Sequence, residues 1–241
     1  MERTKSNSYG PFFLVTSLVG LCLLAAMVLT IPPSETYLPW QGPIVGSLFV
    51  LICVSGIVAG ISPSTCSGLI GSAATDGRQA ALTSSKQGEV KESKGHHPDC
   101  GSFSTHTFQF RGTTYCAGCT GLIVGAVASI FGTIGYLTLR PQFEEVGGML
   151  FWLGFLGVAL GLLQHNLPIV QRNYTHLLLN VVFVFGAFLL LVGMMEMSSS
   201  LIIEGYFLVL VLYWILTRVM LSQEEHRRMC DECSRTGCGF V

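Results

Sequence analysis

The sequence predicts an all-α membrane protein: six transmembrane helices with a small Cys-rich β-hairpin, or knuckle, on the cytoplasmic side. Three observations predict it. Half of the 241 residues are hydrophobic and 11% are charged, against about 25% charged in an ordinary soluble domain, so the apolar surface cannot be hidden in one aqueous core. The apolar residues gather in stretches near the ~20 residues that cross a hydrocarbon slab of roughly 30 Å. A long polar segment then ends in a Cys-x-x-Cys pair, Cys116 and Cys119, where the third stretch begins.

In chain order the predicted spans are residues 11–31, 44–61, 116–139, 148–170, 177–197 and 201–220. The first follows Arg3 and Lys5, as a secretory signal would. Its apolar run exceeds the ~7 to 15 residues of a signal core and lacks a small-residue cleavage pattern, so it reads as a retained helix. Around these spans, residues 62–95 form a linker, 96–119 the Cys/His knuckle and 221–241 a Cys-rich tail. The linker is rich in Ser, Gly, Lys and Glu and has too little apolar surface to offset ordering entropy, so it is expected to be flexible.

Basic residues favour cytoplasmic loops. With the N-terminus inside, Arg3, Lys5, Arg78, Lys86, Lys91, Lys94, Arg111, Arg172, Arg218, Arg227, Arg228 and Arg235 fall on the cytoplasmic side and Arg140 alone falls outside. Both termini are therefore expected in the cytoplasm. The net charge of −1 offers no surface for nucleic acid. The expected partners are the lipid bilayer and other membrane subunits.

In the knuckle, Thr107, Phe108, Gln109 and Phe110 alternate, Arg111-Gly112 reads as a turn, and Thr113, Thr114 and Tyr115 lead into the Cys pair. Of the nine cysteines, Cys22 and Cys53 lie inside spans and read as small hydrophobes, and Cys66 stands alone. The other six, Cys100, Cys116, Cys119, Cys230, Cys233 and Cys238, all fall on the predicted cytoplasmic side. Two Cys-x-x-Cys pairs complete a four-thiolate shell with sulfurs about 2.3 Å from Zn²⁺. Cys116, Cys119, Cys230 and Cys233 are thus the candidate metal ligands, with Cys100, His97 and Cys238 as additional or substitute ligands. The reducing cytosol disfavours structural disulfides, and a metal would order a short tail that has no core. Zinc is the expected ion, and iron accepts the same ligands.

A thiol at a helix N-terminus is also reactive, because the helix dipole favours its thiolate. The rival reading is therefore a membrane thiol oxidoreductase passing electrons to a quinone. Whether the chain is an enzyme stays open at this point.

Small residues at four-residue spacing, Gly56 with Gly60, Gly121 with Gly125 and Gly157 with Gly161, are expected to let helices approach closely. A polar membrane cluster is expected from Gln164, His165, Arg172 and His176, joined by Asn166, Asn173 and Asn180. Polar groups at that depth are costly unless paired or facing water. It reads either as a site for a head group, ion or small substrate, or as an interfacial turn. Glu196 and Glu204, near the opposite face, are too few to suggest a proton path.

The stretch "FQFRGTTYCAGCTGLIVG" resembles the signature of a poorly characterised family of small predicted membrane proteins, a domain of unknown function. Cys100, Phe108, Phe110, Gly112, Cys116, Ala117, Cys119, Thr120, Gly121 and Gly125 match its order, while Gly118 stands where the family carries Arg and Tyr115 departs from the pattern. The segment "QRNYTH" is loosely similar to a second family segment, and Cys230 and Cys233 lie outside the alignable part. The resemblance implies a polytopic, metal-binding membrane protein and supplies no activity.

Overall fold

In a computed structural model of the chain, the described residues are 10–31, 39–61, 93–94, 107–110, 113–139, 143–164, 173–198 and 200–232. Among them six helices form, α1 Gly10–Thr30, α2 Gln41–Ile61, α3 Ala117–Leu139, α4 Gly147–Leu163, α5 Asn173–Met197 and α6 Leu201–Glu232. Five are long and apolar enough to cross a membrane, which makes this a multi-pass membrane chain by helix length and composition. The exception is α4. Its 17 residues rise only about 25 Å, and residues 165–170 of the expected span lie outside the described part.

Packing partners show how the helices run. Gly10 N donates to Glu224 Oε2 at 3.2 Å, so α1 starts beside the end of the apolar part of α6. Gly60, near the end of α2, abuts Ile123 and the Cys119 carbonyl at the start of α3. Gly121 meets Leu177 and Asn180, so α3 and α5 start together, and Gly161, late in α4, packs on Phe183 of α5. Successive helices therefore alternate in direction, and the starts of α1, α3 and α5 share one end of the bundle with the ends of α2, α4 and α6. That end also carries the two thiols.

Helix α5 is the hub. It packs on α4 on one side and α3 on the other, while α1 pairs with α6 and α2 lies on α3. The core gathers Phe151, Leu162, Leu190, Met194, Phe207 and Trp214, all buried. Large apolar side chains such as Phe131 and Ile202 face outward, as a lipid-facing surface requires. The indole of Trp214 stacks edge-on with Phe183 and Phe207 at 6.5 and 6.3 Å between ring centroids.

Two departures from expectation concern helix ends. Helix α6 continues ten residues beyond Ser222, the last residue of its span, to Glu232. The residues that prolong it include Gln, Glu, Arg and Met, all good helix formers, so the segment taken for a tail begins as helix. Helix α5 starts at Asn173 rather than residue 177, and its first turn thereby takes in His176.

Three short strands form a sheet of order β1, β3, β2 from Ser93–Lys94 (β1), Thr107–Phe110 (β2) and Thr113–Cys116 (β3). β2 pairs antiparallel with β3, Thr107 opposite Cys116 and Phe110 opposite Thr113, and β1 pairs parallel with β3. β3 runs straight into α3, so the sheet stands on the thiol end of the bundle.

Candidate functional site

Cys116 closes β3 and Cys119 sits in the first turn of α3. The first four backbone N–H groups of a helix have no partner within it, so this turn is locally electropositive. Both thiols are free of disulfide, half-buried, and hydrogen-bonded to one another. Thr120 Oγ1 donates to the Cys116 carbonyl at 2.9 Å and ties strand end to helix start.

The thiols adjoin the polar cluster. A Cβ placed on Gly118 would lie 3.9 Å from each of three atoms, Cys116 Sγ, His176 Cε1 and Asn180 Nδ2. Sulfur, imidazole and carboxamide thus all approach one point at Gly118.

Asn180 organises that far side. It is fully buried, and its Nδ2 donates to the His176 carbonyl at 2.7 Å and to His176 Nδ1 at 2.9 Å. The second bond makes Nδ1 an acceptor, which leaves the neutral ring's proton on Nε2. Asn180 Oδ1 accepts from Arg218 Nη2 and from Gln164 Nε2 at 3.5 Å. Arg218 also donates through Nη1 to the Gly161 carbonyl at 3.3 Å. Gly161 belongs to the last turn of α4, where carbonyls lack a partner within the helix, so Arg218 caps α4 while holding α5. Its guanidinium lies 5.7 Å from the centre of the Phe183 ring. Gln164 is 1% exposed, and its Oε1 has no hydrogen-bond partner among the described residues, so it can accept from one further donor.

Of the residues expected in the polar cluster, Gln164 and His176 meet through Asn180, whereas His165 and Arg172 lie outside the described residues. For the expected metal ligands, Cys116 and Cys119 are together. Cys230 falls on the backbone of α6 with its side chain outside the description, and Cys233, Cys238, Cys100 and His97 are outside it altogether. No group of three or more His, Cys, Asp or Glu that could hold a metal ion occurs among the described residues.

From the sequence, Arg218 counts only as an orienting charge. Its signal was there, since an Arg within a span is costly unless it pairs inside the bundle. The opposite end holds two further pairings that the isolated Glu196 and Glu204 of the sequence do not reveal. Gln41 Nε2 donates to Glu204 Oε1 at 2.9 Å, and Tyr136 donates to Glu196 Oε1 at 2.5 Å.

No known family, curated protein or solved structure matches this chain, so the family resemblance noted in the sequence rests on its motif residues alone.

Proposed function

We propose that this is a six-span membrane protein, both termini cytoplasmic, whose Cys116 and Cys119 anchor a structural zinc site at the cytoplasmic end of the bundle, with a binding or scaffold role or a place in a membrane complex. One observation carries the reading: two free thiols in mutual contact at the mouth of α3, on the end of the bundle where the apolar part of α6 finishes. They fit a thiophilic cation as half of a tetrahedral thiolate shell. The start of α1 beside the end of the last apolar span supports an even number of spans.

The other two ligands come either from Cys230 and Cys233 or from His97 and Cys100. Helix α6 bears on the choice. Its backbone is helical through Glu232, which puts Cys230 roughly 18 Å along the axis beyond Arg218. Cys116, by contrast, lies beside His176, one turn from the Asn180 that Arg218 holds. A site shared with the tail therefore requires the last turns of α6 to unwind or fold back. The strand register bears on the other pair. Thr107 pairs with Cys116, so the chain entering β2 arrives at the thiols, and Cys100 is within about 24 Å of Thr107 even at full extension.

Metal analysis and thiol counting on protein purified under reducing conditions test the reading. The expected result is one zinc ion per chain, lost when Cys116 and Cys119 are both replaced by Ser. Loss in the His97→Ala, Cys100→Ser double variant assigns the upstream pair, and loss in Cys230→Ser, Cys233→Ser assigns the tail. Protein without metal, whose Cys116 and Cys119 cycle between dithiol and disulfide with a quinone, overturns the zinc reading in favour of the oxidoreductase.

A further inference from the structure

We propose that His176 is the positioning residue of the thiol site, holding Cys116 beside Gly118, with Asn180 and Arg218 fixing its imidazole. The proposal rests on the zinc reading for its ligand, a thiophilic divalent cation. Three observations carry it. The sulfur of Cys116 and the Cε1 edge of His176 each lie 3.9 Å from the point that a Cβ on Gly118 would occupy. The ring is oriented, because Asn180 Nδ2 donates to Nδ1 at 2.9 Å. Asn180 is itself held, because its Oδ1 accepts from Arg218 on α6 and from Gln164 at the end of α4.

The chemistry follows from the tautomer. With Nδ1 occupied as an acceptor, the ring offers an N–H at Nε2, next to Cε1. A thiolate bound to a cation retains lone pairs that accept such a donor, and a donor of this kind fixes the ligand's direction and stabilises the charge on sulfur. Gly118 adds no side chain at that point. The arrangement also links the ligand site to the membrane: Arg218 lies within the apolar part of α6, and the chain Arg218, Asn180, His176 ends beside the sulfur.

The test substitutes Co²⁺ for zinc in the full-length protein, where thiolate-to-cobalt charge-transfer bands report the ligand sulfurs. His176→Leu is expected to weaken Co²⁺ and Zn²⁺ binding by about 10- to 100-fold and to shift those bands. His176→Gln, which restores an N–H donor, should recover part of the affinity. Gly118→Ala adds a methyl at ordinary contact distance from all three neighbours. It should shift the bands without lowering the thermal midpoint, and so serves if His176→Leu fails to fold. The same variants are read without metal by the rate at which diamide, itself reduced to the hydrazine, removes two hydrogens from Cys116 and Cys119 to form their disulfide. That rate should fall severalfold in His176→Leu. A wild-type protein that binds no metal but shows this rate change loses the zinc reading and keeps the positioning role. Unchanged affinity, spectrum and oxidation rate in a folded His176→Leu protein overturn the role of His176.

Discussion

Helices α4 and α5 meet backbone to backbone, while α1 and α6 meet through hydroxyls and rings. At the first seam, a Cβ on Gly154 would stand 2.6 Å from the Gly186 carbonyl oxygen, and one on Gly186 would stand 3.1 Å from the Gly154 carbonyl oxygen. Each glycine makes room for the other. At the second seam, Ser17 and Thr217, both buried, share a hydrogen bond of 2.7 Å. Tyr206 donates to the Gly20 carbonyl at 3.1 Å, Trp214 Nε1 to the Ser17 carbonyl at 3.4 Å, and Thr16 bonds Tyr213. Lipid tails are as apolar as Leu, so helices in a bilayer gain little from hiding hydrophobic surface against each other. Close contact and interhelical hydrogen bonds are what remain, and this chain uses one at each seam. The polar cluster joins the two halves, since Arg218 of α6 reaches both α4 and α5.

The contrast predicts unequal sensitivity. The largest effect is expected from Gly154→Leu, because the obstacle is a carbonyl of α5 that cannot swing aside. Overpacking of this kind costs about 3 kcal/mol, and an unfolding titration in detergent should show the protein destabilised by that much or not folded. Tolerance of Leu at this position would mean that the seam is looser than the two carbonyl contacts require.

A smaller loss is expected at the hydroxyl seam. Interhelical hydrogen bonds in membranes average about 0.6 kcal/mol and reach about 1.7. A double-mutant cycle of Ser17→Ala with Thr217→Val should return a coupling energy in that range, and a coupling near zero would move the stability of this seam to its rings.

The smallest effect separates a motif from its use. Gly56 and Gly60 have the same spacing as Gly157 and Gly161, yet a Cβ on Gly56 would meet nothing within 4 Å. Gly56→Ala should leave helix packing unchanged and shift stability upward by at most about 1 kcal/mol through helix propensity. A loss of stability comparable to Gly154→Leu would place an unseen neighbour on that face.

These glycines also mark where reading the sequence stops. Gly121 and Gly125 face α5, and so do Gly157 and Gly161, but Gly56 faces outward; all came from one pattern. Apolar residues surround each span on all sides, since the outer face meets lipid. No alternation of polar and apolar residues then tells which side is inside.

The run of helices was legible because crossing a hydrocarbon slab imposes a length and a composition on each segment separately, and both are properties of consecutive residues. The thiol pair and the carboxamide, imidazole and amide residues near it were legible for a similar reason, as costly side chains in an apolar context. Tertiary structure alone decided the rest. It brought Arg218 to Asn180 and Gly161, set Cys116 and His176 beside Gly118, carried α6 on to Glu232, and paired Gly154 with Gly186. Each depends on how one helix is rotated against another, and a uniformly apolar surface leaves that rotation to close packing and to the few polar groups that must find partners.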